Sequence, residues 1–356
     1  MGNVSESKRS PSAADPWLAV NYALVLPGLG QLYSRHWVKG WALVAIALGL
    51  VGYGVWAIFG AAGNTLHGLW AIAVLVVVYS FSILDAYRGT QPNYASRIAV
   101  PQGRLDPWYA VFLSQILPGL GHLYTQQAEV GGVILFAALA AVWLANQVPL
   151  FAPLPPLIWA LGCYHVYQTF PKPRRRQPTA IALLVLGLFL LRVVLGNAPN
   201  WVSQTFEQCI VPTESMVPTL QVNDRLFVRR DRTYRPQTGD IVVFEPPPVL
   251  LTLSLPDGVP DLLVKRAIGL PGQRVAIANG QVFINDEPLS EDYLAAPPAY
   301  TWGPDIVPPN SYFMLGDNRN ASSDSHIWGY VPAATVLGKA YKIYWPPERV
   351  RSLQAE

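Results

Sequence analysis

Three short segments in the C-terminal half hold the residue types that nucleophilic chemistry requires. Val211–Leu220 reads VPTESMVPTL and sets Ser215 between two prolines. Leu263–Gly272 reads LVKRAIGLPG and sets Lys265 in an apolar run with Val264, Ala267 and Ile268. Gly316–Gly329 reads GDNRNASSDSHIWG and is dense in Asp, Asn and Ser. A serine hydroxyl is a weak nucleophile and needs an adjacent base. A lysine serves as that base only when neutral, and burial among apolar groups favours its neutral form. Each segment also has a plain use: a turn serine, a lysine whose stem lies along an apolar edge, a solvated loop.

The elements that must position these residues are short and β-rich. Leu226–Arg229, Asp240–Phe244, Leu262–Ile268, Arg274–Ala278, Gln281–Asn285, Tyr312–Leu315 and Ala340–Tyr344 have strand composition. Asn279-Gly280 between two of them is a hairpin signal, because a type I′ turn needs positive φ at both central positions. Pro-rich loops separate the rest, and no βαβ alternation is visible, so a largely antiparallel β domain is expected.

The N-terminal half is of another kind. The chain has 356 residues, 51% hydrophobic and 13% charged, against about 25% charged in soluble domains, which argues against a wholly soluble protein. Residues 1–200 carry 12 Lys+Arg against 5 Asp+Glu, and residues 201–356 carry 13 against 17. The basic residues flank apolar segments instead of forming a stripe, so nucleic acid is not an expected partner. Two cysteines, Cys163 and Cys209, are too few for a disulfide framework or a Cys-based zinc site. Trp41–Phe59, Leu69–Leu84, Gly131–Ala145, Leu157–Phe170 and Ala180–Gly196 are apolar enough to span a bilayer, which takes roughly 20 helical residues. The polar N-terminus reads without a cleavable leader.

An internal repeat organises this half. Asp15–Tyr33 (DPWLAVNYALVLPGLGQLY) and Asp106–Tyr124 (DPWYAVFLSQILPGLGHLY) are offset by 91 residues and identical at 12 of 19 positions. The Pro-Gly-Leu-Gly units break any helix there. They read either as interfacial or re-entrant segments or as tight helix connections. Arg88, Arg97 and Arg104 lie in the central loop and Arg174, Arg175 and Arg176 precede the last span. The positive-inside rule sets both groups in the cytoplasm, and five spans then deliver residue 200 to the outer side. The repeat resembles small bacterial membrane modules with a PGLGQLY-type motif before a hydrophobic hairpin. That resemblance implies packing in the membrane or contact with protein, with the export machinery as one partner.

Taken together, the C-terminal segments resemble bacterial type I signal peptidase, a membrane-anchored serine endopeptidase. PTESMVPTL (Pro212–Leu220) matches its nucleophile box, KRAIGLPG (Lys265–Gly272) its lysine box, and GDNRNASSDSHIWGYVP (Gly316–Pro332) its C-terminal box. GDIVVF (Gly239–Phe244) matches a fourth, structural box, and all four stand in order. The resemblance implies Ser215 as nucleophile and Lys265 as general base, with Thr213 and the Ser215 main-chain N–H as oxyanion donors. It makes Ser322 the hydroxyl that holds the amine, Arg266 and Asp317 a supporting ion pair, and Asp324 a bracing acid. Val211, Met216, Leu220 and Val264 are implied to line shallow pockets for small side chains at positions −1 and −3 of an Ala-x-Ala substrate. No metal or cofactor is implied.

Two residues depart from the family pattern. His326 stands where an Arg usually follows the bracing acid, and Gln273 stands where GLPGD ends, changing a turn contact. His326 also admits a triad with Ser215 and Asp317 or Asp324, which would leave the lysine box without a use. The insert Pro246–Pro260 is expected to expose Val249, Leu250, Leu251 and Leu253 beside the lysine strand, as core or as a membrane-resting surface, with Trp345 near the interface.

The expected architecture is a membrane α-helical half plus a mainly antiparallel β catalytic domain of signal-peptidase type. Residues 1–178 form a repeated multi-span domain with repeats near 15–87 and 106–170, 179–199 the last anchor, and 200–356 the catalytic domain. The expected setting is the bacterial plasma membrane with the catalytic domain on the outer, periplasmic face, acting on signal-peptide-bearing preproteins. The competing expectations are an inactive membrane scaffold and a peptidase dedicated to one partner.

Overall fold

A computed structural model describes residues 14–95, 105–171, 177–231, 233–251 and 261–353. Arg97, Arg104 and the Arg174–Arg176 triplet lie outside the described residues. The chain divides into two compact units, Met1–Tyr53 with Ala71–Pro199, and Gly54–Trp70 with Asn200–Glu356.

The first unit is helical, built from α1 (Pro16–Val25), α2 (Leu29–Tyr33), α3 (Trp37–Phe59), α4 (Thr65–Ala95), α5 (Pro107–Ile116), α6 (Leu120–Tyr124), α7 (Ala128–Gln147), α8 (Leu154–Gln168) and α9 (Pro178–Thr205), with the end of α3, the start of α4 and the end of α9 counted in the second unit. Four of these, α3, α4, α7 and α9, are long and apolar enough to cross a membrane. α8, which overlaps the fourth expected span (Leu157–Phe170), has 15 residues, about 22 Å of helix.

The repeated motif turns out to be a clasp. Asp15 Oδ1 accepts the N–H groups of Trp17 and Leu18 at 2.9 and 3.1 Å, capping α1. Its main-chain N–H donates to the Tyr33 hydroxyl at 3.1 Å. Asp106, Trp108, Tyr109 and Tyr124 repeat this arrangement at 2.7, 3.1 and 3.1 Å. Gly28 and Gly119 take φ of +99° and +87° at the intervening turns, a region that L side chains avoid. A Cβ there would stand 2.3 Å from the Gly40 oxygen and 2.2 Å from the Gly131 oxygen, respectively. Each Pro-Gly unit forms a tight break between two short helices, α1 and α2 in the first repeat and α5 and α6 in the second, an arrangement that fits both readings.

The second unit is built on antiparallel strands: β1 (Phe206–Ile210), β2 (Arg225–Arg230), β3 (Ile241–Phe244), β4 (Leu263–Gly269), β5 (Arg274–Ala278), β6 (Gln281–Ile284), β7 (Glu287–Pro288), β8 (Trp302–Ile306), β9 (Ser311–Leu315), β10 (Val331–Pro332), β11 (Val336–Trp345) and β12 (Arg351–Ser352). One sheet has the order β1-β2-β11-β3-β4-β9-β10 with β12 on β11, and a second runs β7-β6-β5-β8. All seven expected strands are present, and Asn279 and Gly280 have φ of +51° and +76°, as a type I′ hairpin requires. Two short helices, α10 (Pro248–Leu251) and α11 (Ser325–Trp328), lie between strands.

The two readings of the insert divide between its residues: Leu250 is core, packed with Phe244, Met314 and Trp328, because α10 turns it inward while leaving Val249 exposed. The Leu251 side chain and Leu253 lie outside the described residues. Within this unit the Lys342 side chain on β11 is fully buried. It donates to the carbonyls of Ala57 and Ile58 at 2.8 Å each and to that of Gly60 at 3.2 Å.

Candidate active site

The site is assembled from strand β4, one 3₁₀ turn and the loop that follows β9. β4 lies between β3 and β9, so it is covered on both edges, and the registers pair Lys265 with Val242 and Arg266 with Leu315. Six of its seven residues are buried. A lysine on such a strand has little access to water.

The Pro212–Leu220 segment forms a 3₁₀ turn at Glu214–Met216. Lys265 Nζ donates to Ser215 Oγ at 2.6 Å, and the two residues are 4% and 7% exposed. Burial lowers the Lys265 pKa from 10.5 to about 8, against the opposing pull of Asp324 and Asp317. Thr213 Oγ1 donates to Ser215 Oγ at 3.2 Å. Ser215 Oγ therefore has both the amine and a hydroxyl at hand, while His326 engages Asp324 and Tyr300 instead. The triad arrangement is not formed.

The loop after β9 clamps this turn. Asn318 N–H donates to the Ser215 carbonyl at 3.1 Å, and Asn318 Nδ2 donates to the Glu214 carbonyl at 3.2 Å. Gly316 leaves the space this requires, since a Cβ on it would stand 2.3 Å from both the Ser215 oxygen and Ser322 Oγ. Neither Asn318 nor the close approach at Gly316 was singled out in the sequence. The only signal was their place within the C-terminal box.

Arg266 and Asp317 are brought together as a bidentate pair, Nε to Oδ1 at 2.7 Å and Nη2 to Oδ2 at 2.6 Å. Arg266 Nη1 donates to the Gly239 carbonyl at 2.6 Å, and its guanidinium lies 3.8 Å over the Tyr293 ring. Thr219 Oγ1 donates to Asp317 Oδ2 at 2.5 Å, tying the nucleophile segment to the same pair. The GDIVVF segment holds the other end, where Asp240 accepts from Tyr234 and Lys339 at 2.5 Å each. Arg319 and Glu291 form a further ion pair, both side chains nearly excluded from solvent.

Ser322 is buried, but its Oγ has no hydrogen-bond partner. Asp324 is fully buried and accepts from the Gly316 N–H at 2.9 Å and from His326 Nδ1 at 2.6 Å. Val211, Met216, Leu220 and Val264 lie in one apolar cluster with Leu226, Val228 and Ile241. Met216 and Leu220 are fully buried, and Val211 and Val264 are 2% and 7% exposed, so these four are core residues beside the Ser215 turn. Gln273 closes its turn by accepting the Leu270 N–H at 2.7 Å. Cys163 and Cys209 are both free and buried. Among the described residues no cluster of His, Cys, Asp and Glu could hold a metal ion.

A buried serine–amine pair held by a glycine-tight loop has relatives. The family described as Signal peptidase, peptidase S26, matches residues 183–345. Signal peptidase I of Leptolyngbya laminosa is 41% identical over 189 residues, covering 52% of this chain and 92% of that protein. The probable signal peptidase I-2 of Synechocystis sp. is 48% identical over 143 residues, 39% of this chain and 63% of that one. A crystal structure of a signal peptidase I from Enterococcus faecalis is 33% identical, covers 30% of this chain and 97% of its own, and gives a TM-score of 0.25. On the extent and identity of the Leptolyngbya match, this chain belongs to the signal peptidase I family.

Proposed function

We propose that this chain is a membrane-bound serine endopeptidase that removes signal peptides from exported preproteins, cutting after small residues of the Ala-x-Ala type. The observation that carries the reading is the 2.6 Å contact between Lys265 Nζ and Ser215 Oγ in a site where burial lowers the lysine pKa to about 8. A neutral amine at that distance takes the hydroxyl proton as Oγ bonds to the scissile carbonyl carbon. The resulting oxyanion is met by the Thr213 hydroxyl and the Ser215 main-chain N–H, donors aimed at charge that develops in the transition state. The intermediate collapses with cleavage of the C–N bond, and the Lys265 ammonium gives its proton to the departing amine. The same amine then activates a water that releases the signal peptide from Ser215.

In this reading Asp317 and Arg266 hold β4 and the nucleophile segment in register, Asp324 braces Gly316, and Ser322 steadies the amine during turnover. Val211, Met216, Leu220 and Val264 form the wall against which small side chains at −1 and −3 rest. Residues 1–178 are the repeated membrane domain, 179–199 the last anchor and 200–356 the catalytic domain. Counting the short α8 as the fourth of five spans, with the central loop inside, sets that domain on the outer face, where a preprotein still held in lipid is within reach.

The test is cleavage of a detergent-solubilised Ala-x-Ala precursor by the wild type, Ser215→Ala and Lys265→Ala. Cutting by the wild type alone is expected. Equal cutting by Lys265→Ala would overturn the assignment of the base, and equal cutting with Phe at −1 would overturn the pocket.

A further inference from the structure

The two carboxylates near Lys265 are balanced differently. Asp317 faces a permanent cation, the bidentate guanidinium of Arg266. Asp324, fully buried, has as its ion-pair partner the His326 imidazole, Nδ1 to Oδ1 at 2.6 Å. That ring does not swing freely: it lies flat on the Tyr300 phenol, centroids 4.0 Å apart with 15° between planes. The remaining Asp324 oxygen is held by the Gly316 N–H at 2.9 Å. The carboxylate is thus fixed between the loop that packs on Ser215 and an imidazole, a side chain that exists in neutral and charged forms.

We infer that His326 is a positioning residue that, through its own charge state, sets how strongly Asp324 holds the proton on Lys265. The inference rests on Lys265 being the base, and it adds a control that the serine–lysine pair alone lacks. With His326 neutral, the Asp324 charge acts in full and retains the Lys265 proton. With His326 protonated at Nε2, the imidazolium offsets that charge and the lysine releases its proton at lower pH. The other charged or titratable neighbours are the Tyr300 phenol on the ring, the mutually neutralising Arg319–Glu291 pair, and the Arg266–Asp317 pair. A charge on His326 therefore offsets part of the activity lost through protonation of Lys265.

The test compares the acid limb of kcat/KM for the full-length wild type, His326→Arg and His326→Asn. His326→Arg is expected to move the limb to lower pH, by roughly 0.5–1 unit for a fixed charge several ångströms from the base. The wild type is expected to follow His326→Asn at high pH and bend towards His326→Arg as the imidazole charges. Superimposed limbs, with activity lower or not, would overturn the inference, since a purely structural role changes height without moving the limb. A second measurement needs no turnover: the NMR titration of labelled His326 in the wild type and in Lys265→Met. Linkage requires the midpoint to rise when the lysine charge is removed, and an unmoved midpoint would also overturn it. Failure of the lysine assignment itself would appear separately, as activity retained by Lys265→Ala.

Discussion

Gly316 approaches Ser215 so closely that a Cβ added to it would lie 2.3 Å from the Ser215 carbonyl oxygen, and equally close to Ser322 Oγ. Contacts that short are met only by moving backbone. Gly316→Ala is therefore expected to displace the 3₁₀ turn from Lys265 and lower kcat by at least about 100-fold, in line with the cost of misplacing reacting groups by about 1 Å. The fold should largely persist, because the displaced segment is a short 3₁₀ turn that belongs to neither sheet. Paired kcat and thermal-unfolding measurements check this. Loss of the fold with no separate loss of kcat in the surviving fraction would contradict it.

The lowered pKa of Lys265 gives a pH dependence of defined sign. Activity should rise with pH through about 8, where the amine becomes neutral, and level off above. Stability should move in the same direction for a different reason. The folded pKa lies below the ordinary 10.5, so the unfolded chain holds the proton more tightly. The cost of burying this ammonium is fully present below about 8 and is relieved as pH climbs from there to 10.5. Lys265→Met should flatten that slope in denaturant titrations run across this range.

Ser322 separates structure from reaction. Its hydroxyl is buried without a partner, so Ser322→Ala should leave stability within about 1 kcal/mol of the wild type or raise it. Turnover should nevertheless fall, by roughly 10-fold or more, if the hydroxyl takes up the Lys265 amine once the serine proton has moved. Unchanged kcat in the alanine variant would remove Ser322 from the machinery.

Arg266 joins four contacts that a lysine could not keep: the two bonds to Asp317, the bond to the Gly239 carbonyl and the stack on Tyr293. Arg266→Met, which leaves Asp317 buried and uncompensated, should cost about 3–5 kcal/mol. Arg266→Lys should recover only part of this, because an ammonium lacks the planar fork. Urea midpoints of the two variants provide the comparison.

The strands that were legible in the sequence are those where β-branched and apolar residues cluster, such as Ile241–Phe244, and the Asn279-Gly280 turn announced its own geometry. β8 escaped because Gly303 and Pro304 interrupt it and four of its five residues face water. β1 escaped because Glu207 and Gln208 dilute it and it continues from α9 without a turn residue. At the site, Ser215, Lys265, Arg266 and Asp317 were readable because their neighbours in sequence form recognisable boxes. The Arg319–Glu291 pair, the Tyr293 stack and the Tyr300–His326 stack were not. Each joins residues 26 to 28 apart whose meeting depends on how the loop after β7 folds back. Lys342 was equally opaque, since nothing local marks a β-strand lysine whose acceptors lie more than 280 residues away.

The clasp that closes each repeat makes the molecule its own replicate. Gly28 and Gly119 share a left-handed backbone and nearly the same distance to a facing glycine oxygen, and each turn is bounded by the same aspartate–tyrosine bond. An alanine placed at either one first meets a glycine carbonyl oxygen, so the leading local penalty is shared, with the Val44 side chain an added obstacle at Gly28. Any remaining difference in their effect on the protein measures what surrounds each copy. Gln31 bonds to Ser82 and Asp85 in the first repeat, and His122 bonds to His165 at the equivalent position of the second. A single chain thus permits the contribution of a motif to be subtracted from that of its setting, a comparison that ordinarily needs two proteins.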